Sequence, residues 1–194
     1  MVTTDNDEYA ERMRTMSLHG ICKNAWKRYM ADGSWRYDIL FPGYKYNLTD
    51  IAASLGVEQL KKCLRFHATR KRLARNFDQG LADLAAIGTP FVGDGVEHAW
   101  HLYVIQLDLD RLRIDRDHFI EELKRANIGC SVHFIPLHLH PFYRDTLHYD
   151  ARYYPCATQA FERIISLPLY TRMSSQDQQD VIDAIHEIVE RHQR

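Results

Sequence analysis

The feature that most constrains this chain is where its strand signals fall. Met1-Val2-Thr3-Thr4 reads as a short β-strand, and no further strand pattern follows until His101. A lone short strand is stable only when paired and packed. The spacing therefore predicts a chain that starts inside a larger fold, with the partners of its first strand outside it. From Gly88-Thr89-Pro90 the pattern changes. His101 to Leu109 alternates, with Tyr103, Ile105, Leu107 and Leu109 on one face, as in a half-buried strand. Asp115 caps a helix through Ala126 with Phe119, Ile120 and Leu123 on its apolar face, and Asn127 and Gly129 stop it. Cys130 to Ile135 reads as a second strand, ended by Pro136. A helix near 155–163 leads to a third strand, Ile164 to Leu167, closed by Pro168. Ser174 with Asp177 starts a last helix carrying Val181, Ile182, Ile185, Ile188 and Val189. Residues 88–194 thus predict a compact α+β unit with its own core.

The first half is helical and aromatic. Asp5 or Asn6 caps a helix through about Leu18, ended by Gly20. Trp26, Tyr29, Trp35, Tyr37, Phe41, Tyr44 and Tyr46 crowd an irregular stretch with a turn at Pro42-Gly43. Thr49 or Asp50 caps a further helix. From Val57 to Leu84 the pattern is strongly helical, with Cys63, Phe66, Leu73, Phe77, Leu81 and Leu84 as its apolar stripe. Lys61, Lys62, Arg65, Arg72 and Arg75 lie mostly off that stripe and read as a solvated face. The total charge supports this: Lys+Arg 25 balances Asp+Glu 26, which argues against binding nucleic acid or membrane by bulk charge.

Other classes drop out on motif grounds. No apolar run reaches about 18 residues, so no span is expected, and the acidic start has no signal-peptide core. Cys22, Cys63, Cys130 and Cys156 stand apart without CxxC, as free thiols of a cytoplasmic protein do. GxSxG, GxGxxG and GxxxxGK[ST] do not occur. The chain has 11 histidines, and His133, His138 and His140 cluster in VHFIPLHLHPFY, with His148 just beyond. Three readings of the cluster stand: a metal site, ordinary loop packing, and a loop whose imidazoles donate to a polar substrate. The metal reading lacks a carboxylate or cysteine within the segment. His98 and His101 read as strand-start packing, and His19 as a cation at a helix C-terminus.

Four runs add a resemblance. MVTTDNDEYAERMRTMSLHGI, FPGYKYNLTDIAASLGVEQLKK, HAWHLYVIQLD and IGCSVHFIPLHLHPFY occur in this order, followed by ISLPLYTRMSSQDQQDVIDAI. Together they resemble the C-terminal half of the DegT/DnrJ/EryC1/StrS family of pyridoxal-phosphate (PLP) sugar aminotransferases. The resemblance covers essentially the whole chain. It implies an α/β chain with the C-terminal part of the aspartate-aminotransferase-like (type I PLP) fold and an α+β small domain. Residues 1–48 would be the trailing remnant of the large PLP-binding domain, 49–87 the long connecting helices, and 88–194 the small domain.

The resemblance also implies site residues. The family's Schiff-base lysine lies upstream of the segment matching Met1–Thr4, so no lysine here is assigned that role, and the chain alone is expected to be inactive. Lys45 and Asn47 stand where the family reaches across to the neighbouring subunit's PLP phosphate. The commonest family pattern there is Asn then Arg, so which of the two makes the contact stays open. Lys45 would act as a point charge and Asn47 as an amide donor. His133 would hydrogen-bond the sugar or its nucleotide diphosphate, with Phe134 and His138 as further substrate-binding residues. The implied reaction moves an amino group from glutamate to a keto-sugar nucleotide, and the implied partner is a second copy or the missing N-terminal half. A non-catalytic nucleotide-sugar-binding or interaction module derived from the family is the alternative. A regulatory role would need a helix-turn-helix, and the basic helix offers none.

Overall fold

The computed structural model describes residues 2–21 and 37–194. Trp26, Tyr29, Trp35 and Cys22 lie outside the described residues. The chain divides into two compact units, Met1–Lys61 and Lys62–Arg194.

In the first unit, α1 (Asp7–Met16) begins where Asn6 accepts the Tyr9 N–H at 3.0 Å, and Asp7 and Glu8 complement the positive end of its dipole. It ends at Ser17, after which His19 (φ 57°) and Gly20 (φ 72°) both take left-handed backbone. Residues 39–46 lie along the end of the helix. Tyr44 N–H donates to Met16 O at 2.7 Å, His19 N–H to Tyr44 O at 2.8 Å and Tyr46 N–H to Ser17 O at 2.8 Å. Gly43 sits so close that a Cβ there would stand 2.2 Å from Gly20 N, which only glycine permits. α2 (Asp50–Leu60) follows, with Thr49 Oγ1 accepting the Ala52 N–H. Val2 to Thr4, expected as a strand, has no regular structure, since no described strand pairs with it.

The second unit opens with α3 (Cys63–Gly80). The expected single helix through 57–84 is therefore two helices, broken at Lys61-Lys62. A two-residue strand β1 (Ile87–Gly88), which the sequence pattern did not reveal, pairs antiparallel with β2 (Tyr103–Leu107). α4 (Arg116–Arg125) is capped by Asp115, and Asn127 (φ 61°) supplies its left-handed stop, with Ile128 N–H returning to Leu123 O at 2.9 Å. α5 (Pro155–Arg163) runs directly into β3 (Ile164–Leu167), which pairs antiparallel with β2. The sheet order is β1-β2-β3. The expected strand at Cys130–Ile135 shrinks to one bridge between Ser131 and Ser166. Pro136 has no N–H to extend that ladder, and the chain leaves the sheet before it.

α6 (Ser175–His192) closes the unit with a full capping box: Ser174 Oγ accepts the Asp177 N–H and the Asp177 carboxylate accepts the Ser174 N–H. Leu73 and Phe77 of α3, Phe119 and Leu123 of α4, and Ile185 and Ile188 of α6 pack with Tyr103, Ile105, Ile165 and Leu167 in one core. The α3–α6 crossing is close at Gly80, where a Cβ would meet Ile182 Cδ1 at 2.6 Å. Two polar links cross that contact. Gln178 is buried and donates to Leu73 O at 2.6 Å, and His186 Nε2 donates to Gly80 O at 2.8 Å.

Candidate functional site

β3 and α5 together position the histidine loop. Ser166 is hydrogen-bonded to Ser131 in both directions, Ser131 N–H to Ser166 O at 3.1 Å and Ser166 N–H to Ser131 O at 2.7 Å. This anchors the start of the loop to the sheet. Two residues on, the His133 Nδ1 lies 2.9 Å from Ser166 Oγ. His133 is half-buried, and its Nε2 has no hydrogen-bond partner among the described residues. Phe134 is 77% exposed and sets its ring edge-on to His133, centroids 4.8 Å apart. The structure thus brings His133 and Phe134 together at the loop surface.

His138 is placed differently. It is only 6% exposed, and its ring lies against Tyr154 at 4.8 Å. Its Nε2 is 3.0 Å from Thr158 Oγ1, and that hydroxyl donates to Tyr154 O at 3.0 Å. The hydroxyl's one proton is committed to Tyr154, so His138 Nε2 is the donor to Thr158. His138 therefore ties the loop to α5 from inside. Tyr154 continues a chain of rings through Tyr149 to Tyr143 and Phe142. Sequence spacing gave no way to tell His133 from His138. Nor did it mark Ser166 or Thr158, although a serine between Ile165 and Leu167 in an apolar strand is the one available signal.

The loop's charges are paired within it. Arg152 hydrogen-bonds Asp150 through its guanidinium and backbone N–H and holds that carboxyl down to about 2. The Arg144 guanidinium hydrogen-bonds the Asp145 carboxylate, which also sits below its ordinary value. What remains unpaired is aromatic rings and imidazole, a surface suited to stacking on a sugar ring and hydrogen-bonding oxygen-rich groups. Burial pushes the Cys130 thiol up, away from nucleophilic chemistry. Among the described residues no group of three or more His, Cys, Asp or Glu is placed to hold a metal ion.

In the first unit, Lys45 and Asn47 are both exposed. Lys45 is held at its backbone by a bridge to Leu18. The Tyr44 and Tyr46 rings stack at 4.9 Å with 3° between planes, as alternate residues of an extended segment do. Side chains alternate faces there, so Lys45 and Asn47 fall on the opposite side from the tyrosines. The Lys45 ammonium makes no ion pair with any described residue. Of the aromatics that crowd the irregular stretch, Tyr37, Tyr44 and Tyr46 are exposed and Phe41 is half-buried.

This sheet and its helices form the C-terminal part of the aspartate-aminotransferase-like fold. Spr1654 of Streptococcus pneumoniae, assigned as a sugar aminotransferase and solved in its PMP form, superposes with a TM-score of 0.85 at 35% identity, over 97% of this chain and 46% of that one. It has also been solved in a PLP form. The chain belongs to the DegT/DnrJ/EryC1/StrS aminotransferase family, whose model matches residues 1–186. It is 51% identical over 189 residues to the uncharacterized protein MJ1066 of Methanocaldococcus jannaschii, covering 97% of this chain and 49% of the relative. It is 44% identical over 190 residues to the spore coat polysaccharide biosynthesis protein SpsC of Bacillus subtilis, with coverages of 97% and 49%. The chain spans about half the length of the curated relatives it matches.

Proposed function

We propose that this chain forms the C-terminal portion of a PLP-dependent nucleotide-sugar aminotransferase, in which the amino group of glutamate passes to a keto-sugar nucleotide. The family match along residues 1–186 carries the reading. The polysaccharide role in the name of SpsC and the sugar aminotransferase assignment of Spr1654 support the substrate class. In this reading residues 1–48 belong to the large domain, 49–87 join the domains and 88–194 are the small domain. The enzyme works in the cytoplasm.

The residues present fit a cofactor phosphate. Lys45 offers an exposed ammonium with no ion pair among the described residues, and Asn47 an amide beside it, on the face opposite the stacked tyrosines. PLP, when bound, supplies the electron sink for amino transfer. The chain's own part is to hold the neighbouring subunit's cofactor phosphate through at least one of Lys45 and Asn47, and the sugar nucleotide through the histidine loop. His133 offers a ring nitrogen to the ligand, Phe134 covers the sugar, and His138 holds the loop to α5. The apolar residues of α2 (Ile51, Leu55, Val57 and Leu60, all exposed) then meet a second copy or the N-terminal half of the enzyme.

None of the chain's lysines serves as the covalent anchor of PLP, so the chain alone does not transaminate. The test is to incubate it with PLP and glutamate, reduce with borohydride and map the products by mass spectrometry. No stoichiometric lysine adduct is expected, and activity is expected to return on adding the N-terminal half of a relative such as SpsC. One lysine labelled in full by PLP alone overturns the reading.

A further inference from the structure

The histidine that carries the proposed ligand contact is itself held by a residue no motif points to. Ser166 is only 4% exposed. Its backbone is fixed from two sides, by the register with Val104 in β2 and by the paired hydrogen bonds to Ser131. Its hydroxyl therefore has little freedom of position, and it lies 2.9 Å from His133 Nδ1. A buried hydroxyl left without an acceptor is costly. Among the described residues the only hydrogen-bond partner of Ser166 Oγ is that ring nitrogen. If Nδ1 carried the proton, it would donate to Ser166 and leave the hydroxyl proton with no acceptor. With Nδ1 bare, the hydroxyl donates to it and both groups are satisfied.

We infer that Ser166 is the positioning residue of His133: its hydroxyl donates to Nδ1, fixes the imidazole as the Nε2–H tautomer and aims that N–H outward as a hydrogen-bond donor. The outward nitrogen then recognises an acceptor oxygen of the ligand, such as a sugar hydroxyl or a diphosphate oxygen, and rejects a group that can only donate. His138 provides the internal contrast. Its Nε2–H is already spent on Thr158, so it has no outward donor to offer from that nitrogen. One loop thus carries two imidazoles of the same type with opposite duties, separated by a serine on β3 and a threonine on α5.

This inference rests on the proposed ligand role of His133 only in its second half, and the experiment separates the two. Long-range proton–nitrogen correlation spectra of the full chain with labelled histidine report the tautomer directly. His133 is expected to show a protonated Nε2 and a bare Nδ1, and a bare Nε2 in the wild-type chain overturns the inference without any variant. Ser166→Ala is expected to give a mixture of tautomers, with Ser166→Thr restoring the single one; an unchanged tautomer in Ser166→Ala overturns it equally. Calorimetric titration with UDP-glucose is expected to weaken about three- to tenfold in Ser166→Ala, the worth of one net hydrogen bond. In a His133→Ala background the same change is expected to have no further effect. A lost tautomer with unchanged UDP-glucose binding upholds the positioning role and overturns instead the ligand role of His133.

Discussion

The two units use the same kind of capped helix and bury it very differently. In the second unit α6 places Val181, Ile182, Ile185, Ile188 and Val189 in a core shared with α3, α4 and the sheet. In the first unit α2 has the apolar sequence DIAASLGVEQL and no buried residue at all. Every buried apolar side chain among the described residues belongs to the second unit. The difference teaches that a helix can be well started without being well placed. Thr49 caps α2 as competently as Asp115 caps α4, yet a cap contributes about 1 kcal/mol while most helical stability comes from burying a face.

The largest test of this contrast is to separate the units. Residues 62–194 alone are expected to unfold in one cooperative thermal transition followed by circular dichroism. Residues 1–61 alone are expected to show no such transition. A cooperative melt of the shorter piece would remove the contrast. Single substitutions sharpen it. Phe119→Ala, in a fully buried site of the second unit, is expected to cost about 3–5 kcal/mol in urea unfolding. Ile51→Ser, at a site 79% exposed, is expected to change stability by less than about 0.5 kcal/mol. The same Ile51→Ser change is expected to weaken association with a complementing N-terminal half or second copy.

What the sequence disclosed follows the same division between local and distant causes. The helix starts at Asn6, Thr49, Asp115 and Ser174 were legible because each depends on a side chain and a backbone N–H a few residues away. The alternation from Tyr103 to Leu107 was legible because one face meets the core. The segment Cys130–Ile135 was not, since its strand-like composition is answered by one bridge to Ser166 and the chain then turns to the loop. β1 is two residues long and too short to carry a period. The break at Lys61-Lys62 has no glycine or proline to mark it. In the site, the resemblance put His133 first and kept His138 behind it as a further ligand contact. The half-burial of His133 and the burial of His138 go with their partners Ser166 and Thr158, 33 and 20 residues away.

A smaller effect tests whether the second unit's core tolerates its one deep phenol. Tyr103 is fully buried and donates to Asp78 Oδ1 at 2.7 Å. Burial, with the hydrogen bond to Asp78 adding to it, pushes this phenol far above its ordinary value. Tyr103→Phe is expected to cost about 1 kcal/mol, the net worth of the bond. In an alkaline absorbance titration Tyr103 is expected to ionise only when the unit unfolds.

The units also differ in the chemistry of their helix caps. α1 and α2 are capped by the neutral side chains of Asn6 and Thr49. The caps of α4 and α6 involve the carboxylates of Asp115 and Asp177. Asp177 lies below its ordinary value of 3.8, held there first by the Ser174 backbone N–H and then by the Ser174 hydroxyl. Asp115 is likewise lowered, first by the His118 backbone N–H and then by the His118 ring. A carboxyl lowered in the folded state binds fewer protons there than in the unfolded chain. Its stabilising share is therefore whole above the unfolded value of 3.8 and disappears as pH falls through the lower folded value. Acid is thus expected to loosen the start of α6 before it affects the caps of α1 or α2. Ser174→Ala is expected to cost about 1 kcal/mol near neutral pH. Asp177→Asn is expected to flatten the acid limb of urea-unfolding stability below the unfolded value of 3.8, to about the slope that Asp115 and the remaining carboxylates give. An acid limb unchanged in Asp177→Asn would show that the cap carboxylates do not set this difference between the units.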